Sequence, residues 1–222
     1  MIRVHVLVEG QTEETFVKNV LQPHFNGHEI YLYPRLIGKP GRRGGIAEYP
    51  RARRDILATL KQEPASFCTT MLDYYGMPNS WPRREAARQE PFSRKPVTIE
   101  EAILVDISAE LGEGFDRIRL IPYVQMHEFE ALLFSDPMLL AEGLDLSDAS
   151  PTQDIRDQFQ SPEEIDDSRQ TAPSKRIERL DPGYSKVADG VLIAQKIGLA
   201  AMRAECSHFN EWIRKLEALA NG

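Results

Sequence analysis

Ile2-Arg3-Val4-His5-Val6-Leu7-Val8-Glu9-Gly10-Gln11-Thr12-Glu13 decides how this chain is read. Its short, β-branched apolar run is the pattern of a buried strand. The strand ends on a carboxylate, a glycine lets the backbone turn, and a second carboxylate falls in the first turn of a helix for which Thr12 is the expected N-cap. Phe16, Val17, Val20 and Leu21 then share one face over residues 13–24, and Pro23 leaves the end of that helix open. The unit recurs downstream. Residues 30–37 read as a second strand, 46–62 as a helix, 66–72 as a third strand ending on Asp73, 98–111 as a helix and 117–124 as a fourth strand. This alternation predicts an α/β fold, a mainly parallel sheet with helices on both faces. The expected core spans residues 1–135, interrupted by a polar, proline-rich insertion at 74–96. Residues 136–222 read as a helical C-terminal subdomain, closing on an amphipathic helix over 200–219.

Composition narrows the class. With 27 basic and 34 acidic residues the formal charge is −7, which excludes a uniformly basic coat for nucleic acid. Charge is nevertheless polarised: Arg35, Lys39, Arg42, Arg43, Arg51, Arg53 and Arg54 lie close together, whereas acids dominate residues 142–167. No run approaches the ~20 apolar residues of a membrane span, and the N-terminus reads as a core strand, so a cytoplasmic protein with no membrane partner is expected. Two cysteines, Cys68 and Cys206, supply neither a disulfide framework nor the four ligands of a structural zinc site.

Ligands of parallel sheets gather outside the carboxyl ends of the strands. Glu9 and Asp73 fall at two such ends, and His127, Glu128 and Glu130 just beyond the fourth strand. Carboxylates brought to one edge repel one another unless a cation neutralises them, and an all-oxygen set suits Mg2+ or Mn2+. Glu9, Glu13, Asp73, Glu128 and Glu130 are therefore the candidate ligands, with Glu9, Asp73, His127 and Glu128 as candidate catalytic groups. Other roles are open: Glu13 suits the positive end of its own helix, Asp73 a turn, and His127 a strand-to-helix corner. If His127 opens a helix, Glu130 shares its side and Glu128 projects elsewhere. Lys39, Arg42 and Arg43 in a glycine-rich loop, and Lys175 and Arg176 at a helix start, are candidate phosphate contacts, with Lys186 completing a clamp. The bases of the insertion could add to them, and Tyr74, Tyr75 and Trp81 could stack bases or pin the loop. The Gly-x-x-x-x-Gly-Lys-Ser/Thr signature of a nucleoside-triphosphate site is absent.

Val8-Glu9-Gly10-Gln11-Thr12-Glu13 resembles the opening motif of Toprim domains, in the version found in overcoming-lysogenization-defect nucleases. The longer pattern resembles a Toprim-like bacterial family catalogued as domain of unknown function 4276. The segments that carry this are Asp73-Tyr74-Tyr75-Gly76-Met77-Pro78, His127-Glu128-Phe129-Glu130-Ala131-Leu132-Leu133-Phe134, Ala172-Pro173-Ser174-Lys175-Arg176-Ile177 and His208-Phe209-Asn210-Glu211-Trp212. The resemblance implies divalent-metal phosphoryl chemistry on DNA or RNA, with a partner ATPase in phage defence. It makes Glu9 the Toprim glutamate, a metal ligand or general acid/base, and Asp73 the first acid of an Asp-x-Asp motif. Tyr75 stands where the second acid would be. The expectation is a metal-dependent nuclease; its rival is a catalytically silent Toprim-like module that binds nucleic acid or a partner protein. Hydrolysis of a small phosphorylated nucleotide is a third reading.

Overall fold

β1 (Ile2–Val8) sits inside a parallel sheet of order β2-β1-β3-β4, where β2 is Ile30–Leu36, β3 is Phe67–Asp73 and β4 is Leu120–Ile121. β5 (Val124–Gln125) continues the pairing along β3. These positions come from a computed structural model that describes residues 1–37, 47–165, 168, 170 and onward to 221. Alternation along β1 builds two cores. Val4, Val6 and Val8 join one with Phe16, Leu21, Phe209 and Trp212, while Leu7 joins the other with Ile56, Leu60, Ile99 and Ile103. Covering both faces is what buries β1 and β3 almost throughout, as parallel sheets require.

The α/β reading holds, with local corrections. The first helix begins at Gln11 behind Gly10, not behind Thr12, and runs through a π turn at Val17–Leu21 to Asn26. The wider turn falls where Pro23 lacks an amide and its ring crowds the carbonyl four residues back. Gly10 is extended, so its need is spatial: a Cβ there would lie 3.0 Å from Glu13 Oε2. The helix placed at 46–62 is Tyr49–Gln62, and the one placed at 98–111 starts earlier, as Lys95–Leu111.

The fourth strand is two short pieces. Pro122 has no amide to give the ladder, and the Thr70 hydroxyl repairs the gap, accepting from the Tyr123 amide and donating to its carbonyl, both at 2.8 Å. The last helix is also broken at Cys206, between Val191–Glu205, itself kinked at Gly198 (φ 80°), and Ser207–Glu217, with Glu163 accepting from the amides of His208 and Phe209 at 3.0 and 2.9 Å. Side-chain caps of this kind satisfy a helix start that continuous amphipathic spacing conceals. Trp212 from the second piece stacks on Tyr123 at 4.3 Å and donates to Thr69 Oγ1 at 2.8 Å. His208 bonds Glu100, whose Oε1 also accepts from the Val124 amide. The His208–Trp212 segment thereby fastens the C-terminal helix to the sheet.

Candidate metal centre

The strand order reverses direction between β1 and β3. The chain leaves β1 for β2 on one side, then crosses to β3 on the other, and this splayed crevice is where open α/β sheets bind ligands. Glu9 and Asp73 flank it. Val8 pairs with Met71, so the two carboxylates emerge within one residue of each other along the strand ends. Glu13 reaches in from the first helical turn and is 2% exposed, Asp73 is 5% exposed, and Glu130 is fully buried. Glu130 arrives because His127 turns the chain in the left-handed region (φ 59°) and Glu128 is extended, after which a 3-10 segment, Phe129–Ser135, begins. A non-glycine residue held there costs on the order of 1 kcal/mol, a strain of the kind that clusters at functional sites.

Lys186 is the cation that the described residues place among these acids. Its Nζ lies 3.1 Å from Glu130, 3.3 Å from Asp73 and 3.6 Å from Glu13. Several oxygens remain without a hydrogen-bond partner among the described residues: Glu9 Oε2, Asp73 Oδ1 and Glu130 Oε1. The electrostatics show the deficit. Burial, then the charge of Glu13, pushes the Glu9 carboxyl up to about 7. Burial does the same for Glu130, also to about 7, with Glu128 adding to it and Lys186 opposing. Asp73 is held well above the ordinary carboxylate range, again by burial and its acidic neighbours. Burial opposes the Lys186 charge, but Asp73, Glu130 and Glu13 overcome it and raise that pKa. The buried Tyr184 hydroxyl also lacks a described partner, and burial followed by the Glu130 charge raises its pKa.

The donor set fits a hard divalent cation in chemistry, since it is all oxygen and short of positive charge. Its spacing is that of an ammonium ion, whose N–O contacts are near 3 Å, rather than of the ~2.1 Å shell of Mg2+. A cation that keeps several waters and takes one or two carboxylates suits that wider spacing once Lys186 has withdrawn. Among the described residues, the trio with ligand atoms within 4.8 Å of one another is elsewhere: His24, His28 and Glu217. There the Arg203 guanidinium already holds both Glu217 oxygens, at 2.5 and 3.1 Å, as a fastening of the C-terminal helix.

The remaining expected site residues scatter. Glu128, despite its different orientation, is close enough to raise the pKa of both Glu9 and Glu130, and its Oε2 accepts from the Ser174 amide at 3.0 Å. His127 is buried with its ring 6.0 Å from those of Tyr74 and Phe92. Lys175 pairs with Glu178, and Arg176 bonds the Thr171 carbonyl and covers the Phe159 ring. Lys39, Arg42 and Arg43 lie outside the described residues. Lys186 pairs with the carboxylates Glu13, Asp73 and Glu130, apart from the partners of Lys175 and Arg176, and Tyr184 had no sequence signal.

Fold and site together define an α/β protein with a carboxylate cluster at the switch point of its sheet. The family model described as domain of unknown function, DUF4276, matches residues 8–217, and the chain belongs to that family. No curated protein and no solved structure matches it. No helix among the described residues is long and apolar enough to cross a membrane.

Proposed function

We propose that this protein is a Mg2+- or Mn2+-dependent nuclease that hydrolyses phosphodiesters of DNA or RNA. The observation that carries the reading is the charge imbalance at the switch point: Glu9, Glu13, Asp73 and Glu130, with Glu128 close by, share the ammonium of Lys186. Buried acids left in such excess are completed by a further cation. Glu9, Asp73 and Glu130 would hold the metal, with Glu13 and Glu128 supporting. When bound, it would supply charge for the phosphoryl oxygens and a more acidic water. Glu9, pushed up to about 7, can take or give a proton near neutral pH. Lys186 is placed to balance charge on a phosphate once a metal has relieved it of the carboxylates. The motif resemblance of Val8–Glu13 to Toprim nucleases supports the same chemistry, and with it a partner ATPase in phage defence.

Two observations favour the silent module. Lys186 fills the cluster at ammonium spacing, and Tyr75 offers a phenol where a second acid would be expected. The deciding test is cleavage of single- and double-stranded DNA and RNA with Mg2+, Mn2+ or EDTA, repeated with any ATPase encoded beside this protein. Metal-dependent cleavage that Glu9→Gln and Asp73→Asn both abolish, in folded proteins, is the expected result. Absence of cleavage under every condition, together with retained nucleic-acid binding, would establish the silent module instead.

A further inference from the structure

Immediately beyond Asp73 the chain enters a different electrostatic environment. The 74–96 insertion and the start of the helix Lys95–Leu111 enclose an open cleft of about 540 Å3, lined among others by Tyr74, Tyr75, Asn79, Arg84, Arg88 and Lys95. Every charged residue lining it is cationic, in a protein whose net charge is −7. Arg88 is exposed and Lys95 half-buried, and neither forms an ion pair among the described residues. The neighbouring exposed Arg94, by contrast, is 3.7 Å from Glu101. Arg84 is buried with its guanidinium 3.8 Å over the Tyr74 ring and donates to the Tyr74 carbonyl, so the wall of the cleft is fixed. Gly76, at φ +75°, turns the backbone just after Tyr75, a conformation that disfavours any side chain there.

Two cations with no acid and a half-exposed phenol ring form a site for a phosphate joined to a planar base. The volume is that of a small-molecule pocket and takes one nucleotide, not a length of duplex. We propose that this cleft binds one unpaired nucleotide of a nucleic-acid strand, its phosphate on Arg88 and Lys95 and its base stacked on Tyr75, directly beside the carboxylate cluster. The inference rests on the nuclease reading above and narrows its substrate to single strands, overhangs and strand ends. Tyr75 then serves as a stacking platform two residues from Asp73, which accounts for a ring at that position.

The test is fluorescence anisotropy of the full chain with short labelled oligonucleotides in EDTA, so that binding is read without cleavage. A single strand should bind at least about tenfold tighter than a blunt hairpin duplex of the same length. Reversing charge in Arg88→Glu with Lys95→Glu should weaken single-strand binding more than about tenfold and flatten its salt dependence by about 0.7 for each phosphate no longer neutralised. Tyr75→Leu should cost about tenfold with the salt slope unchanged. Lys196→Glu with Lys215→Glu, on helices away from the cleft, makes the same change in net charge and should leave binding within about twofold; far-UV circular dichroism confirms that each variant is folded. Equal affinity for blunt duplex, indifference to the Arg88 and Lys95 changes, or a free nucleoside monophosphate competing as well as a strand would each overturn the proposal. The two readings separate cleanly: binding at the cleft without metal-dependent cleavage removes the nuclease and keeps the cleft, whereas cleavage indifferent to Arg88, Lys95 and Tyr75 does the reverse.

Discussion

Two groups of charges flank β1 and are built in opposite proportions. Glu63 lies against β1 and β2 with Arg3 at 3.0 Å, His5 at 2.9 Å and Arg35 at 2.9 Å. Hydrogen bonds from His5 and then Arg3 hold its carboxyl down to about 2. At the carboxyl ends of β1 and β3 the ratio inverts, and Lys186 serves Glu13, Asp73 and Glu130 together while Glu9 stands near. A carboxylate held by two arginines and a histidine is electrostatically complete and needs nothing further. A set of buried carboxylates around one ammonium is completed by protons or by another cation, and the proposed metal would be that cation.

The sharpest way to break this contrast is Asp73→Asn. Metal-dependent cleavage should fall by about a hundredfold or more, as expected for loss of a ligand, while the metal-free protein melts no lower than the wild type. The equivalent neutral change in the other group, Glu63→Gln, should leave cleavage untouched. A large loss of folding with Asp73→Asn would mean that the acid is structural, like Glu63. Lys186→Met comes next. Removing the shared cation leaves the acids uncompensated and should destabilise the metal-free protein by about 3 kcal/mol near neutral pH, measured by denaturant titration, with Mg2+ or Mn2+ restoring most of it. If neither metal restores stability, the cluster does not bind one.

The pH dependence of stability sharpens the comparison further. Glu9 and Glu130 titrate near 7 in the folded chain against 4.5 ordinarily, so between those values the folded state binds more protons than the unfolded one. Stability in EDTA is therefore greatest at the acid side of this window and declines as pH rises through it. Divalent metal should flatten that decline. Glu63 contributes the opposite slope, because its depressed carboxyl favours folding above its ordinary pKa and loses that contribution as pH falls toward 2. Smallest is the melting shift of Glu63→Gln itself, about 2 °C or less, since its partners are partly solvated.

How much of this was legible depended on range along the chain. β1, β3, Glu9 and Asp73 were visible because an apolar run ending on an acid is a local pattern. The parallel sheet followed from the alternation of strands and helices. Lys186 was visible as a residue but not in its place, since it reaches Asp73 across 113 positions from the start of a single π-helical turn, Lys186–Gly190, too short to show a periodicity. Thr70 patching Pro122 and Glu163 capping Ser207–Glu217 are likewise side chains from elsewhere overriding a local pattern, and each moved an element boundary. The bases and aromatic rings of the insertion were visible as candidate contacts, but their gathering into one cleft was not, because it depends on the path of the insertion rather than on its composition.

Trp212 and Trp81 are the two tryptophans of the chain, both almost fully buried, and they sit on opposite sides of the sheet. Trp212 is sandwiched against Tyr123 and bonded to β3, whereas Trp81 packs at 5.2 Å on Tyr49 and donates to the Ala47 carbonyl. The molecule therefore carries two intrinsic optical reporters, one for docking of the C-terminal helix and one for the insertion that walls the cleft. Replacing either with phenylalanine would leave a single emitter, and a red shift confined to Trp81 on adding a ligand would record the insertion loosening while the rest of the fold stays closed.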